Sequence, residues 1–274
     1  EFAKYLVEEL KKLGAEIYLD EGYKNYGGDA PTVIGKIKGD LAGEGVTLAA
    51  HMDVIEPSKD VKATIVDGII KTDGTTTLGG DDKGGIAAIL EALKVLKEKN
   101  ISHEDIFVVF TPCEESGMVG AKNVDWNLIP KDMLPAKNMI VLDNVGRAGI
   151  IAHTAPSKYD LGITFRGRKA HAGIEPEKGI NAINVAALAI SKMKMGRIDE
   201  LTTSNIGVIS SNFPTNVVAD ECILKSEIRS HSEEKILQVI EEYRACCQDA
   251  VSQMGGSFEM EYSCDYPTLK PKDD

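Results

Sequence analysis

The sequence predicts an α/β protein, with a layered domain on a mostly parallel sheet followed by a second, α+β domain. In the first part of the chain, short apolar runs alternate with a helical repeat over residues 86–96. This alternation is typical of helices layered on a largely parallel, mixed sheet. After Pro156 the order becomes strand, helix, two strands, a long helix and a strand. That order predicts two helices over one antiparallel sheet.

The elements of the first domain follow from hydrophobic spacing. Asp67-Gly68 lies between two apolar runs, as expected of a hairpin turn. Apolar side chains recur at helical spacing between Ile86 and Leu96, which predicts a helix with one buried face. Continuous apolar runs of four to six residues predict buried strands at 32–37, 46–50, 106–111 and 139–142.

The second domain is predicted in the same way. Its long helix, 233–254, has one apolar stripe and ends at Gly255-Gly256, a typical C-terminal cap. The other predicted elements are a helix at 180–195 and strands at 161–165, 206–210 and 222–228.

These patterns predict domains at 1–156 and 157–263, with 264–274 as the start of a return into the first domain. A third segment is therefore expected beyond the 274 residues. Residues are also expected before Glu1, because the chain has no initiator Met and begins inside a helical pattern.

Composition narrows the class of function. Forty-three acidic and 31 basic residues give a net charge of -12, which disfavours nucleic acid and anionic membranes as partners. No apolar run is long enough to span a bilayer, and the N-terminus has no signal-peptide pattern, so we expect a cytoplasmic enzyme. The five cysteines lack CxxC spacing, so they are expected to be buried apolar side chains.

Four clusters of acids or histidine lie where predicted strands end, which is where α/β sheets bind ligands. His51 ends one strand, and Asp53 can turn to hold the other imidazole nitrogen, as a partner of a metal ligand does. In GGDDKGG, the glycines allow a tight bend that presents Asp81 at the start of a helix. The remaining clusters contain Glu114-Glu115, whose side chains must diverge, and Asp143.

Each cluster alone is more typical of turns, caps or surface charge, but their order is informative. HxD, GGDDKGG, EES and LD occur in the order found in the M20 metallopeptidases, which this sequence resembles over its whole length. TLGGDDKGGIAAI, FRGRKAHAG, PTNVVAD and SEIRS resemble the peptidase T-like members of that family. The resemblance implies a zinc-peptidase-like catalytic domain with an inserted lid and dimerisation domain.

The resemblance also implies a role for each site residue. His51 and Asp143 would bind one zinc ion, Glu115 would bind a second, and Asp81 would bridge the two. Glu114 would be the general base, and Asp53, next to His51, would be a further catalytic residue. In the lid, His171 would stabilise the oxyanion, commonly from the partner subunit of a homodimer, while Asn216 and Arg229 would bind substrate.

We therefore expect a di-zinc, tripeptidase-like aminopeptidase that acts on short peptides. The family's final histidine ligand has no counterpart here, since no histidine follows His231, and His231 is not expected to replace it. Three alternatives stay open: a carboxypeptidase, an N-acyl amino acid deacylase, or a truncated form that binds peptides or dimerises without catalysis. Fold and metal site alone do not separate the enzymes.

Overall fold

The computed structural model describes residues 1–270, and the chain divides into two compact units, Glu1–Ile150 and Ile151–Asp274. Within the described residues, no helix has both the length and the apolar character needed to cross a membrane. The three-part division at 156 and 263 stays a prediction, and residues 271–274 of its last part lie outside the described residues.

The first unit contains a five-stranded mixed sheet, a separate two-stranded hairpin and three α-helices. The helices are α1 (Phe2–Leu13), α2 (Gly80–Glu98) and α3 (Val119–Lys122), and 3-10 turns cover Gly22–Tyr26 and Lys131–Met133. The strands are β1 (Glu16–Asp20), β2 (Thr32–Ile37), β3 (Val46–His51), β4 (Thr64–Val66), β5 (Ile69–Lys71), β6 (Ile106–Thr111) and β7 (Met139–Val141).

The strand order is β1-β2-β6-β3-β7, and β3 runs parallel to both β6 and β7. The pairs β1-β2 and β2-β6 are antiparallel, so the predicted mixed sheet is confirmed. β6 is central and its apolar side chains are buried on both faces, which explains its unbroken apolar sequence. Leu6, Leu10, Ile86, Ile89 and Leu93 of α1 and α2 pack into the same core. The parallel arrangement brings the C-terminal ends of β3, β6 and β7 to one edge.

Over its described residues, the second unit has a five-stranded antiparallel sheet, two α-helices and a 3-10 turn at Pro176–Lys178. Its strands are β8 (Ser157–Arg166), β9 (Gly196–Asp199), β10 (Thr202–Ser210), β11 (Glu221–Ser230) and β12 (Ser257–Tyr266), in the order β12-β8-β11-β10-β9. The helices α4 (Ala182–Ile190) and α5 (Glu233–Met254) pack on the alternating buried residues of β8 and β11. This confirms the predicted α+β layers.

One boundary in the second unit differs from the prediction. The helix predicted at 180–195 begins two residues later, at Ala182, because the Asn181 side chain accepts the amides of Ile183 and Asn184, and it ends five residues earlier. The chain leaves the helix after Ile190 and turns at Gly196, which has φ 77°. Gly196 then begins the edge strand β9, which apolar alternation alone did not predict.

Candidate metal centre and active site

His51 lies at the end of β3 and is almost fully buried. Its Nε2 is 3.0 Å from Asp81 Oδ1 and 4.0 Å from Asp143 Oδ2. Burial disfavours a charged imidazole, but the hydrogen bond with Asp81 and the charges of Asp143 and Asp53 raise the pKa of His51 overall. The imidazole therefore faces a group of carboxylates that favours positive charge.

Asp81 and Asp143 approach that imidazole from two other segments. Asp81 lies at the start of α2, where its backbone is not yet helical, and 70% of its side chain is exposed. Asp143 follows β7 by two residues. Burial raises the pKa of Asp143, and Asp81 adds to this effect while His51 opposes it. Two carboxylates so close to each other are most stable when a cation lies between them.

Glu114 and Glu115 lie in the loop after β6, and the carboxylate of Asp53 holds their backbone. Asp53 Oδ1 accepts the amide of Glu114 at 2.9 Å, and Oδ2 accepts the amide of Glu115 at 3.1 Å. The imidazole Nδ1 of His51 contacts the backbone oxygen of Asp53 at 3.0 Å, and the carboxylate oxygen is more distant at 3.5 Å. Asp53 thus holds the imidazole mainly through its carbonyl group, whereas its carboxylate orders the glutamate loop.

Two overlapping groups of side chains could hold metal ions. His51, Asp81 and Glu115 form one group, and His51, Glu114 and Asp143 form the other. Within each group, one potential ligand atom per residue lies within 4.8 Å of the others. Imidazole and carboxylate are ligands that suit zinc and related divalent ions, so the donor set fits the expected metal. Because both glutamates belong to a group, the assignment of Glu115 as ligand and Glu114 as base stays a prediction.

Glu114 has an environment suited to carrying a proton. Burial raises the pKa of Glu114, His51 opposes this rise, and Asp143 adds to it. A carboxylate with a raised pKa binds a proton closer to neutral pH, as a general base must. An apolar cavity of about 250 Å³ adjoins Glu114, His51 and Asp143, and its other walls come mainly from β3, β6, β7 and the segment around α3.

Asp82 is a buried acid that the sequence reasoning did not assign. It is 4% exposed, and it accepts backbone amides from His51 at 3.3 Å and Gly85 at 3.0 Å. Burial, aided by the charge of Asp143 and opposed by these hydrogen bonds, raises the pKa of Asp82 to about 6. The doublet Asp81-Asp82 was visible in the sequence, but spacing alone could not show which of the two carboxylates turns inward.

The three residues expected in the lid lie in the second unit. His171 and Asn216 belong to neighbouring exposed loops, joined by a bridge between His171 and Val217 and a 2.9 Å bond from the Ala172 amide to the Asn216 carbonyl. Arg229 projects from β11 on the face opposite the buried residues. Its guanidinium donates to Glu227 at 2.9 and 3.2 Å.

Two family models match the chain. Residues 32–176 match the model for peptidase family M28, and residues 159–254 match the M20 peptidase dimerisation domain. The uncharacterized protein YqjE of Bacillus subtilis is 41% identical over 273 residues, which are 100% of this chain and 72% of YqjE.

Solved structures agree with these matches. Aminopeptidase PepT from Bacillus cereus is 39% identical with a TM-score of 0.89, and the match covers 100% of this chain and 72% of PepT. A tripeptidase from Staphylococcus aureus is 37% identical with a TM-score of 0.91, covering 99% of this chain and 71% of that structure. Fold and site together define a metallopeptidase with a dimerisation domain. The chain belongs to the M20 metallopeptidases, in their peptidase T-like group.

Proposed function

We propose that this peptidase is an aminopeptidase that hydrolyses short unblocked peptides, with tripeptides as the preferred class. The observation that carries the proposal is the meeting of one imidazole and four carboxylates, from His51, Asp81, Glu114, Glu115 and Asp143, at one edge of the sheet. Relatives described as an aminopeptidase and a tripeptidase support the choice of substrate.

The proposed site holds two divalent ions, with zinc as the expected metal. His51 and Asp143 would hold one ion, Glu115 would hold the other, and Asp81 would contact both. When bound, such ions polarise a scissile carbonyl and make a nearby water more acidic. The remaining histidine ligand of the family has no counterpart in these 274 residues.

The protein residues around the site have separate tasks in this proposal. Glu114 takes a proton from water on its carboxylate and passes it to the leaving amine. Asp53 keeps Glu114 in place through the two backbone hydrogen bonds of the loop. The imidazole of His171 donates to the developing oxyanion, and Asn216 contributes a polar contact to substrate.

Arg229 is proposed to bind the free C-terminal carboxylate of the peptide. A guanidinium has five N–H donors, and two of those of Arg229 are bonded to Glu227, which leaves others for a carboxylate. His171 is proposed to act within a homodimer formed by the dimerisation domain, whose model matches residues 159–254.

The neighbouring glutamates provide the sharpest test. Glu114→Gln should lower kcat on a tripeptide by about 10²- to 10⁴-fold while the zinc content, measured by elemental analysis, stays unchanged. Glu115→Gln should instead lose bound zinc. Glu98→Gln is the matched control, because Glu98 is exposed at the end of α2, and it should change neither quantity. Loss of zinc in Glu114→Gln with retention in Glu115→Gln would reverse the assignment.

A further inference from the structure

The carboxylate of Asp82 is buried at the edge of the metal-ligand group without belonging to it. Its neighbour Asp81 is largely exposed and faces His51, whereas Asp82 is 4% exposed. Asp82 Oδ2 accepts the amide of His51 at 3.3 Å, and Oδ1 accepts the amide of Gly85 at 3.0 Å. One side chain therefore joins the end of β3 to the first turn of α2.

The end of the neighbouring strand explains why the His51 amide needs this partner. On the β7 side of β3, the amide of Thr47 donates to the carbonyl of Asn138, and the Ala49 carbonyl accepts from Leu142. Because strand groups repeat every two residues, the His51 amide points to the same side. β7 ends at Val141, so Asp82 supplies the acceptor that a longer strand would have provided.

Gly85 makes room for this arrangement. A Cβ atom on Gly85 would lie 2.3 Å from Asp82 Oδ1 and 2.3 Å from the carbonyl oxygen of Leu142. Any side chain there must displace the carboxylate, the segment that leads into Asp143, or both. The absence of a side chain at Gly85 thus lets three ligand-bearing segments meet around one buried carboxylate.

We propose that Asp82 is a positioning residue that fixes the backbone of His51 relative to the start of α2, which carries Asp81, and that it thereby sets the affinity of the site for divalent ions. The inference rests on the proposed function, because it takes those two residues as ligands. Residues that orient metal ligands typically contribute about 10- to 100-fold to metal affinity.

Two variants test this positioning role, and a third is their matched control. Asp82→Asn keeps the volume but offers one acceptor oxygen in place of two, so one of the two amides loses its partner. Gly85→Ala keeps the carboxylate of Asp82, but the added methyl group would lie 2.3 Å from Asp82 Oδ1 and must displace it. Gly84→Ala is the matched control, because a Cβ atom on Gly84 would meet nothing within 4 Å and alanine favours a helix.

The measurement is calorimetric titration of each folded variant with Zn²⁺ alone, accompanied by amide hydrogen exchange. Asp82→Asn and Gly85→Ala should bind Zn²⁺ about 10- to 100-fold more weakly than the unmodified protein. Gly84→Ala should bind within about twofold of it, because nothing near the ligands changes. Whichever of the His51 and Gly85 amides loses its partner should exchange faster in Asp82→Asn. Leu93→Ala, which removes a buried side chain of α2 away from the site, should lower the Tm without weakening Zn²⁺ binding.

The outcomes distinguish the inference from the proposed function. If the unmodified protein binds no Zn²⁺, the proposed metal site fails. If it binds Zn²⁺ and Asp82→Asn binds equally well, only the positioning role is overturned. Should Asp82→Asn not fold, unchanged Zn²⁺ affinity in Gly85→Ala overturns it. Should neither variant fold, rapid exchange of the His51 amide in the unmodified protein overturns the positioning role of Asp82.

Discussion

Removing the carboxylate of Asp53 should loosen the loop that carries both glutamates without releasing the imidazole of His51. In Asp53→Ala the amides of Glu114 and Glu115 lose charge-assisted hydrogen bonds of 2.9 and 3.1 Å. Such bonds contribute about 1.5 to 3 kcal/mol each, and we take the lower part of the summed range because Glu115 is exposed and water can replace one bond. The carbonyl oxygen of Asp53 remains to hold His51 Nδ1.

A local loss of about 3 to 4 kcal/mol raises the population of open loop conformations by about 150- to 1000-fold. Amide hydrogen exchange at Glu114 should accelerate by that factor, whereas exchange at Val108 in the buried centre of β6 should change little. Misplacement of the proposed base should also lower kcat/KM on a tripeptide by about 10²-fold. Asp53→Asn keeps one acceptor oxygen, so its exchange rate at Glu114 and its kcat/KM should lie between those of the unmodified protein and of Asp53→Ala. Unchanged exchange at Glu114 in Asp53→Ala would refute the role of this carboxylate.

Three further predictions concern the second unit. Arg229→Ala should lower kcat/KM for a free tripeptide by about 10- to 150-fold, with little further loss for the C-terminal amide, and equal hydrolysis of acid and amide by the unmodified enzyme would contradict it. In thiol labelling followed by mass spectrometry, exposed Cys264 should react in the folded protein, whereas buried Cys222 and Cys247 should react only after unfolding. Burial raises the pKa of Cys247 to about 12 from 9.0, so this thiol ionises at lower pH in the unfolded chain than in the folded protein. The contribution of Cys247 to the free energy of unfolding should therefore fall as the pH rises above about 9.

Much of the fold follows from local sequence patterns, because burying a regularly spaced apolar face stabilises the corresponding strand or helix. β11 alternates strictly between buried and less buried residues, and α5 begins and ends where its sequence signals lie, with the Ser232 side chain accepting the Lys235 amide. β9 has no such pattern, because an edge strand with a single neighbour can be short and polar. Its existence depends on pairing with β10, which is a tertiary interaction.

The candidate site was predictable in position, since His51, Glu114 and Asp143 each follow an apolar strand. The partners of these residues were less predictable. Asp53 was expected to hold an imidazole through its carboxylate, but that carboxylate accepts amides from a loop 61 and 62 residues away in sequence. Contacts of this kind depend on which strands are neighbours, and β3 lies beside β6 only after the sheet has formed.

The two acidic doublets show how far geometry can divide roles between adjacent side chains. In Asp81-Asp82, the backbone sends one carboxylate to the His51 imidazole and buries the other against two amides, so burial and hydrogen bonding separate them. In Glu114-Glu115, both carboxylates lie within ligand distance of His51 together with a second acid. In the proposed separation into base and ligand, the ions and the substrate would add to the difference in burial between the two glutamates, since a carboxylate that binds metal loses the basicity needed to take a proton. Paired replacement of the two glutamates measures that chemistry directly, because both variants keep the loop backbone that Asp53 holds.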